Sequence, residues 1–159
     1  MEKIGDSMIL ISHRGNIKGK NPKLENKPSY IDKVLSKGYD CEIDIKFIDN
    51  KLYLGHDEPQ YKINLHWLYQ RRHKLWIHCK DLNSLLFFSN SGSGRDFNYF
   101  WHQTDTVTLT SFNYIWAYPG NQPLEKSIAV LPEWKNDDVS KCIGICSDYI
   151  QNYKNNLEN

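Results

Sequence analysis

In "YDCEIDIKF" (39–47) apolar and charged residues alternate without a break, with Tyr39, Cys41, Ile43, Ile45 and Phe47 on one side and Asp40, Glu42, Asp44 and Lys46 on the other. A period of two spells a β-strand with one apolar and one charged face. The acidic side limits the folds open to the chain. On the edge of an open sheet those carboxylates are simply solvated. In a sheet that closes on itself, Cys41, Ile43 and Ile45 pack outward under helices and the acids turn inward, where an unpartnered charge is costly.

The other apolar runs are also short and β-like: 8–12, 51–55, 74–79, 98–101, 114–118, 127–131 and 142–146, which makes eight strands in all. Three segments read as helices. The first, 27–38, has Pro28 near its start, Gly38 at its end and Tyr30, Ile31, Val34 and Leu35 on one face. The others are 64–72 and 81–90, with Asn64 and Asp81 placed as N-caps. Asp49-Asn50 marks a tight turn between two strands. The segment "SNSGSGRD" (89–96) reads as a flexible loop and 118–123 as a Pro/Gly turn.

The first half therefore runs β–α–β–β–α–β–α, and the second half has strands with little room for helices. This order predicts an α/β fold, a compact (β/α)8 TIM-type barrel with shortened or missing outer helices in the second half. The chain has 159 residues, against ~250 for a typical full barrel, and an open α/β sheet is the alternative. Residues 1–150 are read as one domain, and the polar tail 151–159 is expected to fray.

A net charge of +1 gives no electrostatic case for nucleic acid or a membrane surface. Cys41, Cys79, Cys142 and Cys146 lack CxxC spacing, so a zinc site is not expected. Lys3 and Asp6 flank only a very short apolar run, which does not read as a signal peptide, and no stretch approaches membrane-spanning length. A reduced, cytoplasmic setting without stable membrane anchoring is the default expectation. The oligomeric state is not legible, although missing outer helices would leave apolar strand faces for a partner chain to cover.

Polar residues recur where predicted strands end. His13, Arg14 and Gly15 follow the first, Glu42 and Asp44 sit late in the second, and His56 and Asp57 close the third. His78 and Lys80 close the fourth, His102 the fifth, Glu133 the seventh and Asp148 the eighth. In parallel α/β architectures that end carries the ligand site. Parity agrees, since His13 shares a face with Ile9 and Ile11, and Lys80 with Trp76 and His78. A lone strand-end histidine is more often structural than catalytic. Glu42-x-Asp44 alone is common, and Trp101 and Trp116 serve as well in a core as in a ligand wall.

Taken in order, "ISHRG", "LEN" (24–26), "CEIDIKF", "LYLGHD", "IHCKD" and "ICSDY" resemble the glycerophosphodiester phosphodiesterases and, more broadly, the phosphatidylinositol-phospholipase-C-like phosphodiesterases. The resemblance is strong over 8–57 and partial over 74–82 and 142–149. It implies a barrel and phosphodiester chemistry on a small glycerophosphodiester-type substrate. By resemblance, His13 and His56 are the acid/base pair. Arg14 and Lys80 face the phosphate, with Glu25 supporting that group. Glu42 and Asp44 hold a divalent cation, Mg²⁺ first, with Ca²⁺ or Mn²⁺ as alternatives. An acid that helps bind the metal is expected two residues before Lys80, and His78 stands there. Two carboxylates and an imidazole suit Mn²⁺, Fe²⁺ or Zn²⁺ better than Mg²⁺. His78 is therefore either a third ligand or a hydrogen-bonding neighbour. The alternative function is a non-catalytic phosphate- or sugar-phosphate-binding domain, which needs Arg14 and Lys80 but no acid/base pair.

Overall fold

The computed structural model describes residues 8–90 and 92–159. Ser91, inside the expected loop, and Lys3 and Asp6, used in reading the N-terminus, lie outside the described residues. All eight expected strands form, and two short ones join them. In chain order they are β1 (Ile9–His13), β2 (Asp40–Ile48), β3 (Lys51–Leu54), β4 (Tyr61–Ile63), β5 (Leu75–Cys79), β6 (Asn98–Trp101), β7 (Val107–Leu109), β8 (Ile115–Ala117), β9 (Ser127–Val130) and β10 (Gly144–Ser147). The helices are α1 (Pro28–Ser36), α2 (Leu65–Arg71), α3 (Leu82–Asn90) and α4 (Ile150–Glu158). Asn64 caps α2 by accepting from Trp67 N, and Asp81 Oδ1 accepts from Ser84 N at the start of α3. The segment expected to fray is α4, which buries Ile150 against the sheet.

Ten strands form one curled, mixed sheet. Its parallel part runs β6–β5–β2–β1–β10–β9–β8. β7 is antiparallel on β8, and β3 and β4 extend β2 as an antiparallel meander. The expected (β/α)8 TIM-type barrel is corrected by this finding. Among the described residues the chain makes a sheet-rich half-barrel with four short α-helices, not eight alternating units. The physical reason is where the chain is spent. The meander β2–β3–β4 and the hairpin β7–β8 take up length that alternation would give to helices. The β8–β9 and β9–β10 connections hold no α-helix. The free edges β6 and β7 are drawn together by Ser111 N donating to Tyr99 O (2.8 Å) and Thr108 Oγ1 to Trp101 O (3.0 Å).

Register sets two faces. On the concave side, Ile11, Trp76, Phe100, Trp116, Ile128, Val130 and Cys146 pack into one apolar cluster. Trp116 lies 4.8 Å from the Phe100 ring and 5.6 Å from Trp76, so the two flanks of the curl meet through aromatic contacts. On the convex side, Cys41, Ile43, Ile45, Leu75 and Ile77 pack beneath helices with Ile31, Val34, Phe88 and Ile150. The acidic side of β2 therefore faces inward, as the alternation required of a curled sheet. Asp40, low on that face, accepts from Trp76 Nε1 at 3.0 Å, and Glu42 and Asp44 lie above it.

Candidate functional site

The polar residues gather above the apolar cluster, at the ends of β1, β5 and β10 and partway along β2. Their register explains the gathering, because His13 lies opposite Glu42, and Asp44 opposite His78. His56 arrives by another route. β3 is antiparallel, so its position does not follow from the parallel-strand rule. β2 runs on past its pairing with β5 and turns at Asp49 and Asn50, both at positive φ as a tight hairpin turn requires. β3 then returns to the level of Asp44, whose carbonyl accepts from Gly55 N at 3.1 Å. His56 follows directly.

The turn after β1 is built on unusual backbone. Arg14 and Asn26 have φ of 59° and 64°, and Gly15 has 97°. Arg14 N donates to Glu42 O and Asn26 N to Arg14 O, both at 3.0 Å, so these conformations are held from both sides. A Cβ on Gly15 would stand 2.5 Å from Tyr30 Cδ1. Gly15→Ala is expected to destabilise the fold by about 1–3 kcal/mol through overpacking and left-handed strain. Urea unfolding measures this, and an unchanged midpoint would contradict the turn's geometry.

Glu42, Asp44 and His78 form the floor. Glu42 and Asp44 are 2% and 0% exposed. Asp44 is well served on one oxygen. Oδ2 accepts from Asn26 Nδ2 at 2.8 Å and lies 2.9 Å from Arg14 Nε, though without aligned hydrogen-bond geometry. Asn26 Oδ1 accepts in turn from Asp44 N at 2.9 Å. By contrast, Asp44 Oδ1 and both oxygens of Glu42 have no hydrogen-bond donor. Burial, then repulsion from Asp44, pushes the Glu42 carboxyl well above the usual range, with Arg14 and Lys80 opposing. Burial pushes Asp44 up as well, but Arg14, His78 in the protonated form it takes at acid pH, and the Asn26 amide outweigh it and hold Asp44 below its ordinary value.

His78 completes the set. Burial pushes its imidazole down to about 4, so it is neutral near pH 7. Its Nε2 lies 3.3 Å from the His102 carbonyl, which can only accept. Nε2 therefore carries the proton and Nδ1 a lone pair. Nδ1 stands 3.5 Å from Asp44 Oδ1 and 4.0 Å from Glu42 Oε1. With His78 neutral these contacts are not ion pairs but lone pairs facing lone pairs. One ligand atom from each of the three residues lies within 4.8 Å of the others. Glu42, Asp44 and His78 could thus hold a metal ion, which would supply the positive charge these buried oxygens lack.

A cleft of about 530 Å³ opens above this floor. Its lining combines polar residues, His13, Arg14, His56, Lys80 and Asp148 among them, with the apolar and aromatic Trp101, Trp116, Tyr118, Leu131 and Trp134. Asp148 Oδ1 lies 2.7 Å from His13 Nδ1 and accepts from Asn16 Nδ2 at 2.8 Å. The carboxylate fixes the proton on Nδ1 and leaves Nε2, 3.5 Å from Glu42 Oε2, as the basic atom. Burial raises Asp148, but its hydrogen bonds and the charges around it hold it below the usual range. His56 sits at the rim with Nδ1 2.7 Å from Asp57 Oδ1, and has the same form of pairing in a more exposed place. Lys80 is set by its backbone N donating to Ile45 O at 2.9 Å.

The remaining sequence candidates divide. Glu25 does not line the cleft. Its carboxylate sits 3.4 Å from Arg14 Nη1 and accepts from Asn16 Nδ2 at 3.0 Å, which steadies the guanidinium. Glu133 is occupied by Ser147 Oγ and the Tyr153 hydroxyl, away from the cleft. His102 serves His78 through its carbonyl, while its ring stacks on Tyr118 at 3.4 Å. Trp116 is a core residue whose edge reaches the cleft. Sequence reasoning missed Asn16 and Asn26, which hold Asp148, Glu25 and Asp44 in place. Their only signals were position, Asn16 directly after "HRG" and Asn26 closing "LEN".

Among known proteins, no family model, no curated protein and no solved structure matches this chain.

Proposed function

We propose that the protein is a metal-dependent phosphodiesterase acting on a small glycerophosphodiester-type substrate. The observation that carries the reading is the donorless set Glu42 Oε1, Glu42 Oε2 and Asp44 Oδ1 beneath a cleft whose lining includes His13, His56, Arg14 and Lys80. A phosphate-binding domain needs Arg14 and Lys80. It has no use for two imidazoles each tied at Nδ1 to a carboxylate, or for a buried, uncompensated acid. The sequence resemblance assigns the same residues to phosphodiester chemistry.

A divalent ion, when bound, would polarise the phosphoryl group as a Lewis acid and would lower the pKa of the attacking hydroxyl or water. Glu42, Asp44 and His78 would hold it. The Nδ1 lone pair of His78 favours Mn²⁺ or a similar transition ion over the all-oxygen preference of Mg²⁺ and Ca²⁺. Arg14 and Lys80 bind the non-bridging oxygens and stabilise the charge that spreads over them in the transition state. His13, with its proton fixed on Nδ1 by Asp148, accepts a proton at Nε2. His56 across the rim donates to the departing oxygen.

Hydrolysis of an aryl phosphodiester tests the reading. Turnover is expected with Mn²⁺, and EDTA is expected to lower it about a hundredfold or more, as loss of a several-kcal/mol metal contribution requires. Turnover unaffected by EDTA would leave only a metal-free His/His mechanism. No turnover of aryl or glycerol diesters with any of Mn²⁺, Mg²⁺ or Ca²⁺ would favour the binding domain.

A further inference from the structure

Although the net charge is +1, the charges are not evenly spread. Lys18, Lys20, Lys23, Lys27, Lys33 and Lys37 fall within the β1–α1 connection, α1 and its end, and all are exposed. The same stretch holds two acids, and both are engaged. Glu25 is committed to Arg14 and Asn16, and Asp32 to Arg71 at 2.6 Å. Among the described residues, the ion pairs within 4.0 Å include none of these six lysines.

Four of the lysines converge. A groove of about 410 Å³ is lined by Lys18, Lys20, Lys33 and Lys37, with Asn21 and Tyr30. Lys33 and Lys37 lie at the C-terminal end of α1, where cations suit the helix dipole. That accounts for their presence on α1 but not for Lys18 and Lys20, which reach the groove from a different segment. Lys20 also lines the cleft, so the two concavities meet at this side chain. They share a wall as well. Gly19 N donates to Asp148 O at 2.9 Å, Asn21 N to Asn16 Oδ1 at 3.2 Å, and the Tyr30 hydroxyl to Asn16 Oδ1 at 3.1 Å. The groove is thus fixed to the residues that position His13 and Arg14.

We propose that this groove is a second anion subsite, and that the substrate is a phosphodiester carrying a further phosphate on its alcohol. The inference rests on the phosphodiesterase reading for its scissile group. The further phosphate sits among Lys18, Lys33 and Lys37, and Lys20 bridges the two charged positions. Lysine suits this task because it is a flexible point charge that needs no fixed fork geometry.

The test uses two p-nitrophenyl phosphodiesters of glycerol, one with the terminal hydroxyl free and one with it phosphorylated. The phosphorylated ester is expected to have a kcat/KM about tenfold higher, the sum of three modest exposed ion pairs. The triple variant K18Q/K33Q/K37Q is expected to bring the ratio of the two substrates near one. A ratio already near one in the wild type, or unchanged in the variant, overturns the subsite. A readout independent of turnover is amide NMR with inorganic pyrophosphate in EDTA. Gly19, Asn21, Lys33 and Lys37 are expected to shift saturably, and not in the variant. If neither ester is hydrolysed but these amides respond, the phosphodiesterase reading fails and the anion subsite stands. If the amides do not respond, the subsite fails. Binding of phosphatidylglycerol vesicles without any pyrophosphate response would assign the lysines to a membrane surface and overturn the proposal.

Discussion

Replacing His13 by alanine is expected to lower turnover of an aryl phosphodiester by about 10²–10⁴-fold, the usual contribution of a positioned general base, while thermal unfolding remains cooperative. The expectation follows from the pairing at Nδ1. Asp148 Oδ1, at 2.7 Å, holds the ring in one tautomer and points Nε2 into the cleft. Asp148→Asn keeps the shape but can place a donor against Nδ1, which moves the proton to Nε2. It is expected to impair kcat while leaving KM nearly unchanged. Near-native turnover of His13→Ala, measured beside an intact circular dichroism spectrum, would remove His13 from the chemistry. His56→Ala is the companion case. Its ring is more exposed and its partner Asp57 is adjacent in sequence, so its loss should scarcely change stability.

Glu42→Gln is expected to move stability and metal binding in opposite directions. Without metal, Glu42 carries two buried oxygens that no donor reaches and faces the carboxylate of Asp44. A glutamine amide can donate toward His13 Nε2 or His78 Nδ1, the atoms now 3.5 and 4.0 Å from the carboxylate. In EDTA near pH 7 the variant should gain about 1–3 kcal/mol, the usual cost of an unsatisfied buried polar group. The pH dependence has a defined sign. A carboxyl whose folded pKa is raised contributes its stability below the unfolded value of about 4.3. That contribution is lost as pH rises through the folded pKa. The metal-free wild type should therefore weaken as pH climbs from the acid range toward neutrality, and Glu42→Gln should flatten that slope. Asp44 acts oppositely. Its depressed pKa contributes stability above the ordinary carboxylate range, and this is lost as pH falls through the lower folded value. Mn²⁺ at a hundred times its dissociation constant should stabilise the wild type by about 2.7 kcal/mol and the variant far less. A variant that is weaker in EDTA and gains equally from Mn²⁺ would show that Glu42 is not a ligand.

Much of the strand content was legible because alternation and short apolar runs are local signals. The inward turn of Glu42 and Asp44 was legible too, since Cys41, Ile43 and Ile45 had to be covered and α1, α3 and α4 cover that side. The architecture was not. Eight strands with helices among them suit a (β/α)8 barrel, but nothing local shows that β3 runs antiparallel or that β9 and β10 are joined without α-helices. β4 and β7, of three residues each, are too short to carry a pattern. The helix α4 is mostly polar, and its apolar face is little more than Ile150 and Tyr153. At the cleft, His13, Arg14, Lys80 and the two acids stand out in the sequence because their residue types announce chemistry. Asn16 and Asn26 were not, because an asparagine in a loop reads as turn chemistry. Their roles depend on contacts to Asp148 and Asp44 over long sequence separations. The lysine groove was hidden for a similar reason, since a net charge near zero averages away a basic face.

The account turns on whether the three converging lone pairs hold a cation under a phosphate. Crystals grown with Mn²⁺ and inorganic phosphate, measured at the manganese absorption edge, address this directly. The account predicts an anomalous peak bounded by Glu42, Asp44 and His78 Nδ1, with phosphate oxygens reaching Arg14 and Lys80. A peak elsewhere, or phosphate bound at Arg14 and Lys80 with no metal over the acids, would contradict it.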